Sequence, residues 1–164
     1  MRLTAYTDYS LRTLIYLAMN RERLVTVQQI ADDHDIAKNH LTKVVHQLGT
    51  LGYIETIRGR NGGLRLGGEP AGIVIGDVVR HTETDFYMAS CFDAASKGCM
   101  YAGACSLKGV LGTATAAFLE VLDGVTLEDM LIKEERKRGA ARAPAKGGAG
   151  TVQLHFKKPA RKAA

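Results

Sequence analysis

The sequence predicts a mostly α chain built on a winged helix-turn-helix, continued by a loop holding every cysteine and by one long helix. Three observations predict it. Thr26 and Gln29 form a capping-box pattern that opens a short helix directly ahead of a longer one. Two short alternating segments then flank R-G-R-N-G-G, the pattern of a hairpin. Finally, Leu107, Val110, Leu111, Ala114, Phe118 and Val121 recur at helical spacing over about 106–122.

The elements follow in order. Thr7 is expected to cap a first helix running to about Asn20, with Leu11, Leu14, Ile15 and Ala18 facing inward. The second helix is expected from Val27 to about His34, with a break at Asp35 and Ile36. The third runs from about Ala37 to Leu51, burying Leu41, Val44, Val45, Leu48 and Leu51, and Gly52 stops it as a C′ glycine does. Residues 53–57 and 64–66 read as strands around an Asn-Gly turn. A fourth helix is expected over Ile73 to Arg80, and Thr126 with Asp129 starts a last short one.

Length and composition allow one main domain with an appendage, since 164 residues of which 46% are apolar can bury a real core. No stretch approaches the roughly 20 apolar residues of a membrane helix, and the start M-R-L-T-A-Y lacks a signal-peptide apolar run. The expectation is a cytoplasmic chain with reduced thiols and no membrane partner. Three cysteines, an odd number, fit no disulfide framework. The net charge of +5 divides unevenly: +3 over residues 1–66, −7 over 67–135 and +9 over 136–164. Overall basicity is therefore mostly a tail, rich in Ala, Gly, Lys and Arg, that buries too little apolar surface to order itself.

Nucleic-acid binding has to rest on a local site. On the third helix Asn39, Thr42, Lys43 and His46 lie at i, i+3, i+4 and i+7, opposite the apolar stripe, with Lys38 and His40 beside its start. Asn and Lys hydrogen-bond base edges in the major groove of double-stranded DNA, and a helix N-terminus offers N–H groups to phosphate. A polar helix face alone is more often merely solvated; helix, hairpin and Arg-Gly tip in this order favour DNA. At the tip, Arg58 and Arg60 stand among glycines, where the backbone can approach the duplex. Arg65 is a further candidate phosphate contact.

Cys91, Cys99 and Cys105 fall within fifteen residues as C-x7-C-x5-C, among small residues. They are either three structural thiols or metal ligands. Clustering favours the metal; the absence of C-x2-C pairs disfavours zinc without naming another metal. Asp85, Asp93, His81 and the distant Asp8 are candidates for a fourth ligand. One oxygen donor beside three thiolates leaves one iron easier to attack, which suits a sensor.

With these residues in view, the chain resembles the bacterial iron–sulfur winged-helix regulators over about residues 1–135. The resemblance rests on L-T-x-Y-T-D-Y-x-L-R, N-H-L-x-K-V-V-x-Q-L, R-G-R-N-G-G-L-R-L, I-x-I-G-D-V-V-R and the cysteine loop. It is strongest to the nitric-oxide-sensing repressors of that family. The cluster-biogenesis branch has a histidine ligand three positions after its last cysteine, where this chain has Lys108. The resemblance implies a homodimer joined through the long helix. It implies an iron–sulfur cluster, [4Fe-4S] favoured and [2Fe-2S] possible, held by Cys91, Cys99, Cys105 and by Asp8 donated across the dimer. It further implies a repressor of nitric oxide detoxification genes that releases operator DNA when nitric oxide disassembles the cluster.

On this reading residues 1–80 form the DNA-binding domain, 81–135 the cluster loop and dimerisation helix, and 136–164 a disordered basic tail. The rival readings are an iron-responsive or cluster-biogenesis regulator of the same fold and a zinc-stabilised DNA-binding regulator. No phosphate loop or nucleophile–base pair is present, so an enzyme is not expected.

Overall fold

The computed structural model describes residues 2–93, 95, 99 and 105–131. The basic tail from Arg136 and most of the small residues around the cysteines lie outside these described residues.

Helix α1 spans Ala5–Met19. Its cap is Thr4 rather than the expected Thr7: the Thr4 hydroxyl accepts from the Thr7 N–H at 3.2 Å, and Thr7 itself is helical and fully buried. The inward face also differs from the expected stripe. Leu14, Leu17 and Ala18 are buried with Ser10 and Thr13, whereas Leu11 and Ile15 are only half-buried. Buried hydroxyls are tolerated there because Ser10 and Thr13 donate to the carbonyls of Tyr6 and Tyr9, at 2.8 and 2.7 Å.

Helix α2 (Val27–His34) begins with the expected capping box, in which Thr26 and Gln29 satisfy each other's backbone N–H groups. It stops at Asp35, which takes left-handed backbone angles (φ 52°) and turns the chain into α3 (Lys38–Thr50). Leu41, Val44 and Leu48 are completely buried there, while Leu51, expected inside, is 37% exposed because the helix ends before it. Gly52 (φ 80°) closes α3: its N–H donates to the Gly49 carbonyl and the Tyr53 N–H to that of Leu48, a Schellman pair.

The wing is the antiparallel pair β1 (Ile54–Ile57) and β2 (Gly63–Leu66), in register Ile54↔Leu66 and Ile57↔Gly63. Residues 58–62 connect them, and the positive φ falls at Gly59 (118°), so the turn is wider than a two-residue Asn-Gly hairpin. A Cβ at Gly62 would run into the Ile57 carbonyl, which keeps that approach closed to other residues. Val25 pairs with Leu64 through two backbone hydrogen bonds, at 3.1 and 2.7 Å, and ties the wing to the helical head.

Helix α4 (Ile75–Thr82) starts later than expected. Pro70–Gly72 make a 3-10 turn. The following backbone is engaged elsewhere: Ile73 accepts from Leu127 N–H at 2.8 Å, and Ile75 donates to the Val125 carbonyl at 2.9 Å. The long helix α5 (Ser106–Asp123) matches the expected range, and residues 127–131 are helical behind a reciprocal Thr126–Asp129 cap. One core joins α1 to α4, Val25, Ile54, Leu64 and Leu127. Helix α5 contributes no buried residue, and Leu107, Val110 and Val121 on it are 62%, 64% and 68% exposed. Among the described residues no helix is long and apolar enough to cross a membrane.

Candidate nucleic-acid interface and cysteine loop

The buried stripe of α3 fixes which way its polar face points. With Leu41, Val44, Val45 and Leu48 in the core, Lys38, Asn39, His40, Thr42, Lys43 and His46 are all exposed. Two of these side chains have intramolecular engagements. Thr42 donates its hydroxyl proton to the Lys38 carbonyl at 2.9 Å, so its oxygen is left to accept. His40 meets the Tyr9 ring edge-on, with centroids 6.3 Å apart. Arg58 and Arg60 are exposed at the wing tip. Among the described residues neither they nor Lys38 and Lys43 form an ion pair, so four cations stand free for phosphate. Arg65 differs: it pairs with its cross-strand neighbour Glu55 (2.6 and 2.8 Å), which occupies the guanidinium expected to reach DNA.

The three cysteines are free thiols, Cys99 exposed and Cys91 and Cys105 half-buried. Cys91 sits in a 3-10 turn (Ser90–Phe92), and Cys105 is the N-cap residue of α5. Phe92 joins the two ends of the loop: its ring lies 5.7 Å under the Lys108 ammonium, and a Cβ at Gly112 would touch it at 4.0 Å. Lys108 is thus placed over the Phe92 ring. Asp8 lies half-buried in the first turn of α1, 3.0 Å from Arg12. The other candidate ligands also have partners within the chain. Asp85 and Asp93 each accept from a backbone N–H two residues on, at 2.9 and 2.8 Å, and His81 Nδ1 lies 3.0 Å from the Tyr53 hydroxyl. Three free thiols and an accessible carboxylate have the chemistry of an iron–sulfur donor set. Among the described residues of one chain, no three such side chains converge on a point.

Several functional candidates escape the sequence patterns. Tyr6 donates to Gln47 Oε1 at 2.7 Å, and Gln47 Nε2 donates to the His81 carbonyl at 2.8 Å, joining α1, α3 and α4. Glu83 accepts from the Thr4 N–H at 2.7 Å and from its hydroxyl at 3.2 Å. Arg80 and Asp123 form a two-pronged pair between α4 and α5, packed over Gly76. All of these join residues far apart in sequence, where no local spacing links them.

The chain is similar to known regulators over most of its length. It is 52% identical to the HTH-type transcriptional regulator NsrR of Bacillus licheniformis over 139 residues, covering 84% of this chain and 97% of the relative. It is 54% identical to that of Bacillus subtilis over 136 residues, covering 82% and 93%. Among solved structures, the B. subtilis global cysteine regulator CymR aligns with TM-score 0.65 at 27% identity, over 81% of this chain and 98% of that one. T. potens IscR aligns with TM-score 0.65 at 25% identity, over 90% and 94%. Residues 3–133 match the Rrf2 family, described as iron-dependent transcriptional regulators, and the chain belongs to that family.

Proposed function

We propose that the chain is a DNA-binding repressor that senses nitric oxide through an iron–sulfur cluster and controls nitric oxide detoxification genes. One placement carries this reading: a free cationic and amide reading face on α3 and the wing, in a chain whose three thiols lie between that head and an unpartnered apolar helix. Relatives near half identity named NsrR support it.

In the proposed protein, Asn39, Lys43 and His46 face base edges, the N-terminus of α3 with Lys38 binds phosphate, and Arg58 and Arg60 reach the flanking groove. His40 and Thr42 complete the surface. The apolar stripe of α5 packs on that of a second copy, because among the described residues Leu107, Val110 and Val121 are left more than half exposed. A two-fold dimer presents its reading helices to half-sites about one helical turn apart. Cys91, Cys99 and Cys105 hold the cluster, with [4Fe-4S] the favoured form, and Asp8 of the other copy supplies an oxygen ligand. When bound, the cluster supplies iron sites that nitric oxide attacks. With Asp8 of one subunit and the cysteine loop of the other holding the same group, α1 of each subunit would be tied to its partner's loop, and the spacing of the two reading heads would depend on that tie. A change of about 3 kcal/mol in operator affinity alters binding about 100-fold.

The test is an anaerobic absorbance spectrum before and after nitric oxide, with operator binding followed in parallel. A brown protein that bleaches and releases DNA is expected; a colourless, zinc-containing protein that keeps its DNA would replace this reading with the zinc-stabilised one. Asp8→Ala is expected to fold normally, with an altered spectrum or a weakened release by nitric oxide. If both stay as in the unmodified protein, Asp8 is not the ligand.

A further inference from the structure

We propose that Gln47 is the positioning residue through which the ligation state of Asp8 reaches the DNA-reading face of α3. The inference rests on the reading of Asp8 as a ligand and adds the route inside the subunit.

Asp8 stands in the first turn of α1, and that turn is held from two sides. Tyr6, two residues before Asp8, sends its hydroxyl to Gln47 Oε1 (2.7 Å) and to the Lys43 carbonyl (3.2 Å). Gln47 lies on α3 one residue beyond His46 and one turn beyond Lys43, both of the reading face. Its amide has one usable orientation: the oxygen must accept from the phenol, and the NH2 must donate to the His81 carbonyl, which can only accept. One side chain therefore binds the Asp8 end of α1, the reading helix and the end of α4, from which the chain departs toward Cys91.

A second tie runs parallel. Glu83 accepts from the backbone N–H and hydroxyl of Thr4, the cap of α1. Movement of the first turn of α1 therefore strains α4 through Glu83 and α3 through Gln47 together. Gln47 is half-buried and spends both polar atoms inward, so it is not part of the DNA-contacting surface. Removing its hydrogen bonds is expected to uncouple the two sites while leaving each one intact.

The experiment compares operator Kd before and after nitric oxide in the unmodified dimer, Tyr6→Phe, Gln47→Met and Gln47→Glu. Gln47→Glu keeps an acceptor for Tyr6 but loses the donor to His81. The unmodified protein is expected to weaken on the order of 100-fold. The variants are expected to keep the spectrum and its bleaching, while the Kd ratio falls at least tenfold in Tyr6→Phe and Gln47→Met and by an intermediate amount in Gln47→Glu. A second readout uses cluster-free protein: urea midpoint shifts of Tyr6→Phe and Gln47→Met are expected not to add in the double variant. A full Kd ratio in both variants, or additive shifts, overturns the relay while the cluster switch stands. A ratio of one in the unmodified protein overturns the switch itself, and the relay with it.

Discussion

At the residue scale, the proposed reading face divides into groups expected to recognise bases and groups expected to attract phosphate. Asn39 is exposed at the start of α3 and carries both donor and acceptor, the chemistry that distinguishes one base edge from another. Asn39→Ala is expected to weaken operator binding by about 1–3 kcal/mol and to relax preference at one base position. Arg60, free of any carboxylate among the described residues, should behave differently. Arg60→Ala is expected to weaken binding to all sequences alike and to lower the salt slope of binding by about one. Titrations against matched and mismatched duplexes at several salt concentrations separate the two; equal losses on every duplex for Asn39→Ala would remove it from base recognition. The exposure of Asn39 and Lys43 was legible in the sequence because it follows from the 3.6-residue period, and that of Arg58 and Arg60 because they stand among glycines at the hairpin tip. The engagement of Arg65 by Glu55 was not, because strand register decides which residues stand opposite each other.

At the element scale, local signals located most boundaries. The Thr26 capping box and the Gly52 stop are short-range hydrogen-bond patterns, and both stand where the residues indicated. Two starts moved. Thr4 displaced Thr7 as the cap of α1 because Thr7 is wanted in the core, and α4 began at Ile75 because Ile73 and Val74 pair with the chain following α5. The Arg80–Asp123 pair also belongs to this scale, since it fastens α4 to α5. Hydrogen bonding to Arg80 holds the Asp123 carboxyl below its usual pKa. A group with a lowered folded pKa contributes stability above its unfolded value, about 3.9, and loses it as pH falls through the folded one. Asp123→Asn is therefore expected to lower Tm at pH 7, with the difference shrinking as pH falls below about 3.9 and the carboxyl takes up its proton. A Tm difference that persists in acid would mean the pair acts through packing instead of charge.

At the scale of the whole molecule, α5 cannot be a finished surface. Its stripe is apolar and more than half exposed at Leu107, Val110 and Val121, whereas the head around it has a closed core. Val110→Asp would bury an unpaired charge in the proposed dimer. Sedimentation velocity is expected to shift from dimer to monomer, with loss of binding to a two-half-site operator; an unchanged dimer would place the interface elsewhere. We propose that the basic tail adds a separate, salt-sensitive contribution to DNA binding. Truncation after Glu135 removes nine basic residues and no acidic ones, so the salt slope of binding is expected to fall while sequence preference is kept. A slope equal to that of the full chain would show that the tail does not touch DNA.

The sequence alone determined the helix order, the wing, the polar face of α3, the length of α5 and the clustering of three cysteines. Each is written in local period, in capping residues or in spacing, which act over a few residues. Only the tertiary structure decided that Arg65 is paired, that Lys108 covers Phe92, and that Tyr6, Gln47 and His81 meet at one junction. Those partners lie between 10 and 41 residues apart, or across a loop, where no sequence period links them. The packing of α1 on α3 and α4 brings Tyr6, Gln47 and His81 together, because burying Leu14, Leu48 and Val78 in one core leaves their polar neighbours facing each other at its edge.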